Sequence, residues 1–281
     1  MTTGDLSGTD AAPARRPAGT APGLASLGAV TSARVGLART GTAMTTADLL
    51  AFQSDHAQAR EAVHAAFEVD RLMAEFDAAG VRTVPVATRS GGRGQYLRHP
   101  EAGRRLSGSA RELLSAEAVD SPDVVLILSD GLSATAANRH GVGFVLDLRR
   151  RLLAESLNVA PVVIAPFARV GLLNDVGAAL GVAVAVIVLG ERPGLSAPDG
   201  LSVYAEYAPR SGLTDADRNC ISNIRPGGLP PAIAADRAAE LIRTMIDRRT
   251  SGVGLTVEYD DPSPPVDRGY GRNGWIASGG M

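Results

Sequence analysis

The run Ala183–Leu189, AVAVIVL, has no polar position and is rich in β-branched residues. A strand without polar alternation is buried on both faces, which suits the interior of a parallel sheet. Val124–Leu128 repeats the pattern as VVLIL, and Val81–Ala87, Ala160–Pro166 and Leu201–Tyr207 are further predicted strands. Helical spacing fills the gaps between them. Leu106, Leu113 and Leu114 predict a helix over Pro100–Val119, with Pro100 in the favoured first turn. Val142, Val145, Leu146, Leu148, Leu152 and Leu153 predict one over Ala134–Ser156, and a short one covers Asn174–Leu180. Ile233, Leu241, Ile242, Met245 and Ile246 share one face of a helix over Pro231–Arg249. This alternation predicts an α/β fold over residues 81–258: a Rossmann-like, mostly parallel, doubly wound sheet with right-handed crossovers. A small helical lobe is predicted before it, over residues 31–80. Its main helix is capped by Thr45 or Thr46 and carries Leu49, Leu50, Phe52, Val63 and Phe67 at spacings of three to four. Residues 1–30 are Pro/Ala/Gly-rich and residues 259–281 Pro/Gly/Asp-rich. Neither stretch can bury enough apolar surface to offset a backbone ordering cost of about 1–2 kcal/mol per residue, so both are expected to be disordered.

Composition narrows the function. The chain is 45% apolar with a formal net charge of −2. No bulk positive field exists to draw nucleic acid or an anionic membrane, and no apolar run reaches transmembrane length. The chain has no lysine, so a Schiff-base or pyridoxal-phosphate mechanism has nothing to start from. A genome rich in Arg, Ala and Gly codons is the first explanation of that bias. The single cysteine, Cys220, excludes an internal disulfide framework and a cysteine metal cluster and fits a reducing compartment. His56 and His64 stand two helical turns apart and are expected on a helix surface or in a core rather than as a metal pair. The N-terminus lacks a charged-then-apolar signal pattern.

Candidate chemistry gathers at strand ends. After Leu189 the chain turns through Gly190-Glu191-Arg192-Pro193-Gly194, and in open parallel sheets ligands bind outside the carboxyl ends of strands. A second stiff stretch, Arg218–Gly228, is expected as a loop rich in donors and acceptors. Glu191 has two readings, an ion pair with Arg192 and a ligand contact. Asp130, after the strand Val124–Leu128, is either part of an Asp-Gly turn that caps the next helix or a ligand contact. Arg93 and Gly94 lie in a glycine-rich loop, but GxGxxG and GxxxxGK[ST] are both absent. No His neighbours Cys220 in sequence, G-x-S-x-G is absent, and no ligand spacing suits metal hydrolysis. A stand-alone α/β hydrolase or transferase using Cys220 is therefore a second, weaker class, and no catalytic residue is assigned.

Two of these segments, LGERPGLSAPDGLSVY and DRNCISNIRPGGLPP, closely resemble the small (light) subunit of ethanolamine ammonia-lyase. Arg34–Arg39, Thr46–Gln53, Asp55–Ala57, Tyr96–Arg98, Gly103–Leu106, Ser129–Thr135 and Arg169-Val170 match in family order, covering roughly residues 32–255. The resemblance implies a cytoplasmic chain, with the interior of a bacterial microcompartment open as its location. It also implies a hetero-oligomer with a large (heavy) catalytic subunit that converts ethanolamine to acetaldehyde and ammonia by a radical mechanism on adenosylcobalamin. This chain would bind one edge of the cobalamin and be inactive alone. By the motifs FARV, GERPG and RNCISN, the cobalamin contacts fall on Val170, Glu191 and Cys220. The segment Arg34–Thr42 becomes an arm toward the partner or a surface loop. Two departures stand out: Ala43 where relatives tend to carry Arg, and Asn174 where many carry an acid.

Overall fold

A computed structural model describes residues 39–40, 43–117, 122–257 and 259. The predicted leader, most of the Arg34–Thr42 arm and nearly all of the tail lie outside the described residues. The chain runs β1 (Arg39–Thr40), β2 (Ala43–Met44), α1 (Thr46–His64), α2 (Val69–Ala78), β3 (Thr83–Pro85), α3 (Arg93–Arg98), α4 (Gly108–Glu117) and β4 (Val124–Ser129). It continues through α5 (Ala134–Ala136), a π turn (Ala137–Gly141), α6 (Val142–Ala154), β5 (Val162–Ile164), α7 (Leu172–Leu180), β6 (Val184–Gly190), β7 (Leu201–Tyr207), β8 (Arg218–Ile224) and α8 (Pro231–Arg248).

The main sheet has six strands in the order β3-β5-β4-β6-β7-β8. The first four are parallel; β7 pairs antiparallel with β6, and β8 antiparallel with β7. The predicted α/β, Rossmann-like sheet is therefore present, closed on one side by an antiparallel hairpin. Every residue of β4 and β6 is buried. The period of two sends Leu126 and Leu128 to one face, where α2, α6 and α8 cover them. Val125 and Ile127 go to the other, under α4 and α7. Handedness explains the split. The connection from β4 moves one way to β5 through α6, and that from β5 moves back past β4 to β6 through α7. Right-handed crossovers in opposite directions place their helices on opposite faces.

Several expectations need correction. The helix over Pro100–Val119 is broken. A 3-10 turn spans Ala102–Arg104, and α4 begins only at Gly108, with Ser107 Oγ accepting from Ala110 N. Between them Arg105 and Ser107 pair with residues 87–89, and Asp175 accepts the Leu106 N–H at 3.0 Å. These bonds draw the backbone out of the helix, leaving Leu106 and Leu114 buried and Leu113 exposed. The glycine-rich loop after β3 contains α3. The expected loop at Arg218–Gly228 is, over most of its length, the edge strand β8, whose register shifts opposite Leu201/Val203. Thr45 caps α1 as expected, but Leu49, Leu50 and Phe52 are exposed; among the residues of α1 only Ala62 is buried. Leu72 and Phe76 of α2 are fully buried in the same apolar core as α6 and α8.

Candidate functional site

β4 and β6 are neighbours whose chains leave in opposite directions, the first toward β5 and the second toward β7. That switch point opens a crevice at the carboxyl ends of both strands. A cleft of about 430 Å³ lies there, lined by Tyr96, Gly131, Leu132, Arg169, Val170, Leu189, Gly190, Glu191, Arg192, Ser202 and Tyr204. Its floor depends on two glycines. Gly131 has φ +53°, and a β-carbon there would come within 2.3 Å of the Gly190 carbonyl; one on Gly190 would lie 2.0 Å from the Ser133 carbonyl. The two loops meet so closely that no side chain fits between them.

Val170 and Glu191 line this one cleft, although their parent strands β5 and β6 are not adjacent: β4 runs between them. The loop after β5 bends back to reach the cleft, through Phe167 at φ +59°, a conformation a bulky residue seldom adopts. The Asp130 carboxylate holds it there, accepting the Phe167 N–H at 2.7 Å.

Glu191 is half-buried. Its Oε1 accepts from the Ser202 hydroxyl and from the Asn223 N–H at 2.9 Å. Its own N–H donates to the Gly200 carbonyl at 2.9 Å. Among the described residues Glu191 forms no ion pair with Arg192 or any other Arg, and Oε2 accepts no hydrogen bond. The carboxylate is fixed at one oxygen and open at the other.

Cys220 sits on β8 opposite Tyr204 of β7. The residue is exposed, but its thiol is turned to the Tyr204 hydroxyl. Burial, helped by the nearby Glu191 carboxylate, pushes the thiol pKa up. Burial also pushes the Tyr204 phenol up to about 12. Cys220 thus adjoins the cleft through Tyr204 rather than lining it. A thiol with raised pKa, partnered by a phenol that does not take its proton near neutrality, is poorly prepared for nucleophilic attack.

Asp130 is 1% exposed and opens an Asp-Gly turn, its carbonyl accepting the Ser133 N–H at 3.1 Å, but its side chain does not cap the next helix. Ser133 caps α5. Asp130 accepts from Arg93 at 3.1 Å, from the Ser129 hydroxyl at 3.0 Å and from Phe167 N. Burial nonetheless pushes its carboxyl pKa up, against the pull of Arg93. Arg93, from the glycine-rich loop, is used up internally. It donates to Val63 O at 2.5 Å, Gly131 O at 2.7 Å and Leu132 O at 3.1 Å as well. Asn174 is spent too, accepting from Arg218 at 2.8 Å and donating to Leu213 O at 3.1 Å.

Sequence reasoning missed Tyr96, Arg169 and Tyr204 as cleft residues. Tyr96 is 1% exposed and lies under two guanidiniums, with Arg169 Cζ 4.0 Å and Arg93 Cζ 5.0 Å from its ring centre. Burial pushes its phenol up to about 12. Only the adjacency of Arg169 to Val170 pointed to this wall.

Residues 22–256 match the family model described as ethanolamine ammonia-lyase light chain (EutC). A protein named "Ethanolamine ammonia-lyase small subunit" from Rhodopseudomonas palustris is 44% identical over 85% of this chain and 92% of its own length. One of the same name from Pseudomonas syringae pv. tomato is 41% identical over 86% of this chain and 88% of its own. A third, from Ralstonia nicotianae, is 42% identical over 83% and 87%. Among the described residues no helix is long and apolar enough to cross a membrane.

Proposed function

The chain belongs to the ethanolamine ammonia-lyase light-chain family, and from that premise we propose that its cleft grips one edge of adenosylcobalamin while a large subunit carries the reacting groups. When bound, adenosylcobalamin supplies the radical chemistry that turns ethanolamine into acetaldehyde and ammonia. The observation that carries this reading is Glu191, a carboxylate anchored at Oε1 and open at Oε2 on the wall of a cleft shared with Val170.

The residues suit the group. A corrin edge presents apolar ring surface and neutral amide arms. Val170, Leu132 and Leu189 offer apolar contact, and Glu191 Oε2 accepts from an amide N–H. At about 430 Å³ the cleft takes a fragment of drug-like size, so it suits a margin of the macrocycle and not its whole. The open remainder calls for a second wall, which the large subunit provides. The chain's residues bind, orient and exclude water; none gives or takes a proton from substrate. Cys220, beside Tyr204, adds contact at the far rim. The competing reading, a hydrolase built on the Cys220 thiol, meets a thiol whose pKa burial raises and whose hydrogen-bond partner is a phenol.

Turnover separates the two. Ethanolamine and adenosylcobalamin are supplied to the purified chain, to the large subunit, and to both together, and acetaldehyde is measured. Turnover is expected only with both chains present. Turnover by this chain alone would overturn the proposal, and its loss in Cys220→Ser would install the alternative.

A further inference from the structure

The two guanidiniums over Tyr96 are not equivalent. Arg93 is balanced by Asp130 at 3.1 Å and donates to three carbonyls besides. Arg169 lines the cleft, and among the described residues its guanidinium donates only to Tyr96 O, at 3.1 Å. Its Nε is buried with no acceptor, and among the described residues no carboxylate pairs with it. Nor is it loose. Its N–H donates to Gly103 O at 2.8 Å, its Cγ lies where a β-carbon on Gly103 would come within 3.0 Å, and its charged head is stacked on the buried ring. A half-desolvated, preorganised cation without a counter-charge is costly to keep unless something anionic completes it. Arg192 adds a second guanidinium at the rim, which among the described residues pairs with no carboxylate, so that the two arginines outweigh the one carboxylate of the cleft, Glu191. The wall thus carries local positive charge on a chain whose formal net charge is −2, and a cleft concentrates such a field.

We infer that Arg169 binds the phosphodiester of the cobalamin's nucleotide tail, with Arg192 assisting from the rim. This rests on the proposed cleft reading. A guanidinium's planar fork matches phosphate oxygens, and the phosphodiester is the anionic group of a ligand whose other arms are neutral amides.

The test compares two ligands on the assembled large–small complex: adenosylcobalamin, and adenosylcobinamide, which lacks the nucleotide and its phosphodiester. Arg169→Gln is expected to weaken adenosylcobalamin binding roughly 10- to 100-fold, as for a lost hydrogen-bonded charge. It should leave adenosylcobinamide affinity within about twofold, the spread of small indirect effects. Added salt should weaken cobalamin binding in the unmodified complex and in Arg169→Lys, and much less in Arg169→Gln. Equal weakening of both ligands would show that Arg169 merely holds Tyr96 in place, and weakening of neither would show no contact; either overturns the inference. Val170→Trp, which fills the cleft, tells this failure from that of the underlying reading. If it leaves both affinities unchanged the cleft is not the cobalamin site. If it weakens both while Arg169→Gln does not discriminate, only the Arg169 assignment falls.

Discussion

Two carboxylates follow adjacent parallel strands at the same edge of the sheet, Asp130 after β4 and Glu191 after β6. Asp130 is buried, and its two oxygens together take Arg93, Ser129 and Phe167. Glu191 is half-buried, and one oxygen is left over. The guanidiniums divide in the same way: Arg93 is saturated and Arg169 is not. Residue type and position at the strand end do not distinguish structural from recognition roles here. The distinguishing property is hydrogen-bonding capacity that remains once the fold has formed. Asp130 and Arg93 join three loops and the end of α1 into one shelf; Glu191 and Arg169 stand on that shelf with hydrogen-bonding capacity to spare.

The contrast breaks if the saturated residues prove dispensable for the fold. Asp130→Ala leaves Arg93 buried without its partner, for which a loss of about 3–5 kcal/mol is expected in denaturant unfolding; a loss below about 1 kcal/mol would be surface-like. Gly131→Ala forces a side chain into left-handed backbone and against Gly190 O. At least ~2 kcal/mol should go the same way, without any change at the Glu191 oxygen. Glu191→Ala should behave oppositely. Unfolding changes little, while cobalamin affinity of the large–small complex falls by about 1–3 kcal/mol for a lost charged hydrogen bond.

Smaller effects sharpen the comparison. Because burial raises the folded-state pKa of Asp130, folded Asp130 keeps its proton to higher pH than the unfolded chain, whose Asp titrates near about 3.9. The stabilisation this gives is full below the unfolded value and is lost as pH rises through the folded one. Unfolding free energies of the wild type and Asp130→Asn, followed upward from about pH 4, should therefore converge or cross in favour of Asn; a gap that widens with pH refutes the assignment. The slightest change concerns Cys220. Its raised pKa predicts alkylation by iodoacetamide at neutral pH slower than that of a free cysteine peptide, and a faster rate would restore a reactive thiol.

The sheet was legible because β4, β6 and β7 are built from side chains that must leave water. Leu201–Tyr207 was bounded correctly, and Val184–Gly190 to within a residue. β8 was not legible. Its buried residues Ile221 and Ile224 are three apart because the register shifts between them, with Asn223 at φ +57°. That shift erases the period-two signal. The break between Arg104 and Gly108 was hidden because it is imposed by Asp175, about seventy residues away in sequence. The exposed face of α1 shows the limit of periodicity, which reports that a face is apolar and not what covers it. Within the site, the loop carrying Glu191 was visible from its Gly and Pro residues, and Val170 only through the family resemblance. The Tyr96–Arg169 wall was not, since it joins α3 to the loop after β5 and has no local pattern.

The central claim is that the crevice between the ends of β4 and β6 is where this chain meets its cofactor. Val170→Trp tests it most directly, because it fills the crevice without touching the Asp130–Arg93 network. The account expects the large–small complex to assemble normally and to lose at least ~10-fold in adenosylcobalamin affinity, the scale of a blocked buried contact. Normal assembly with unchanged affinity would contradict it.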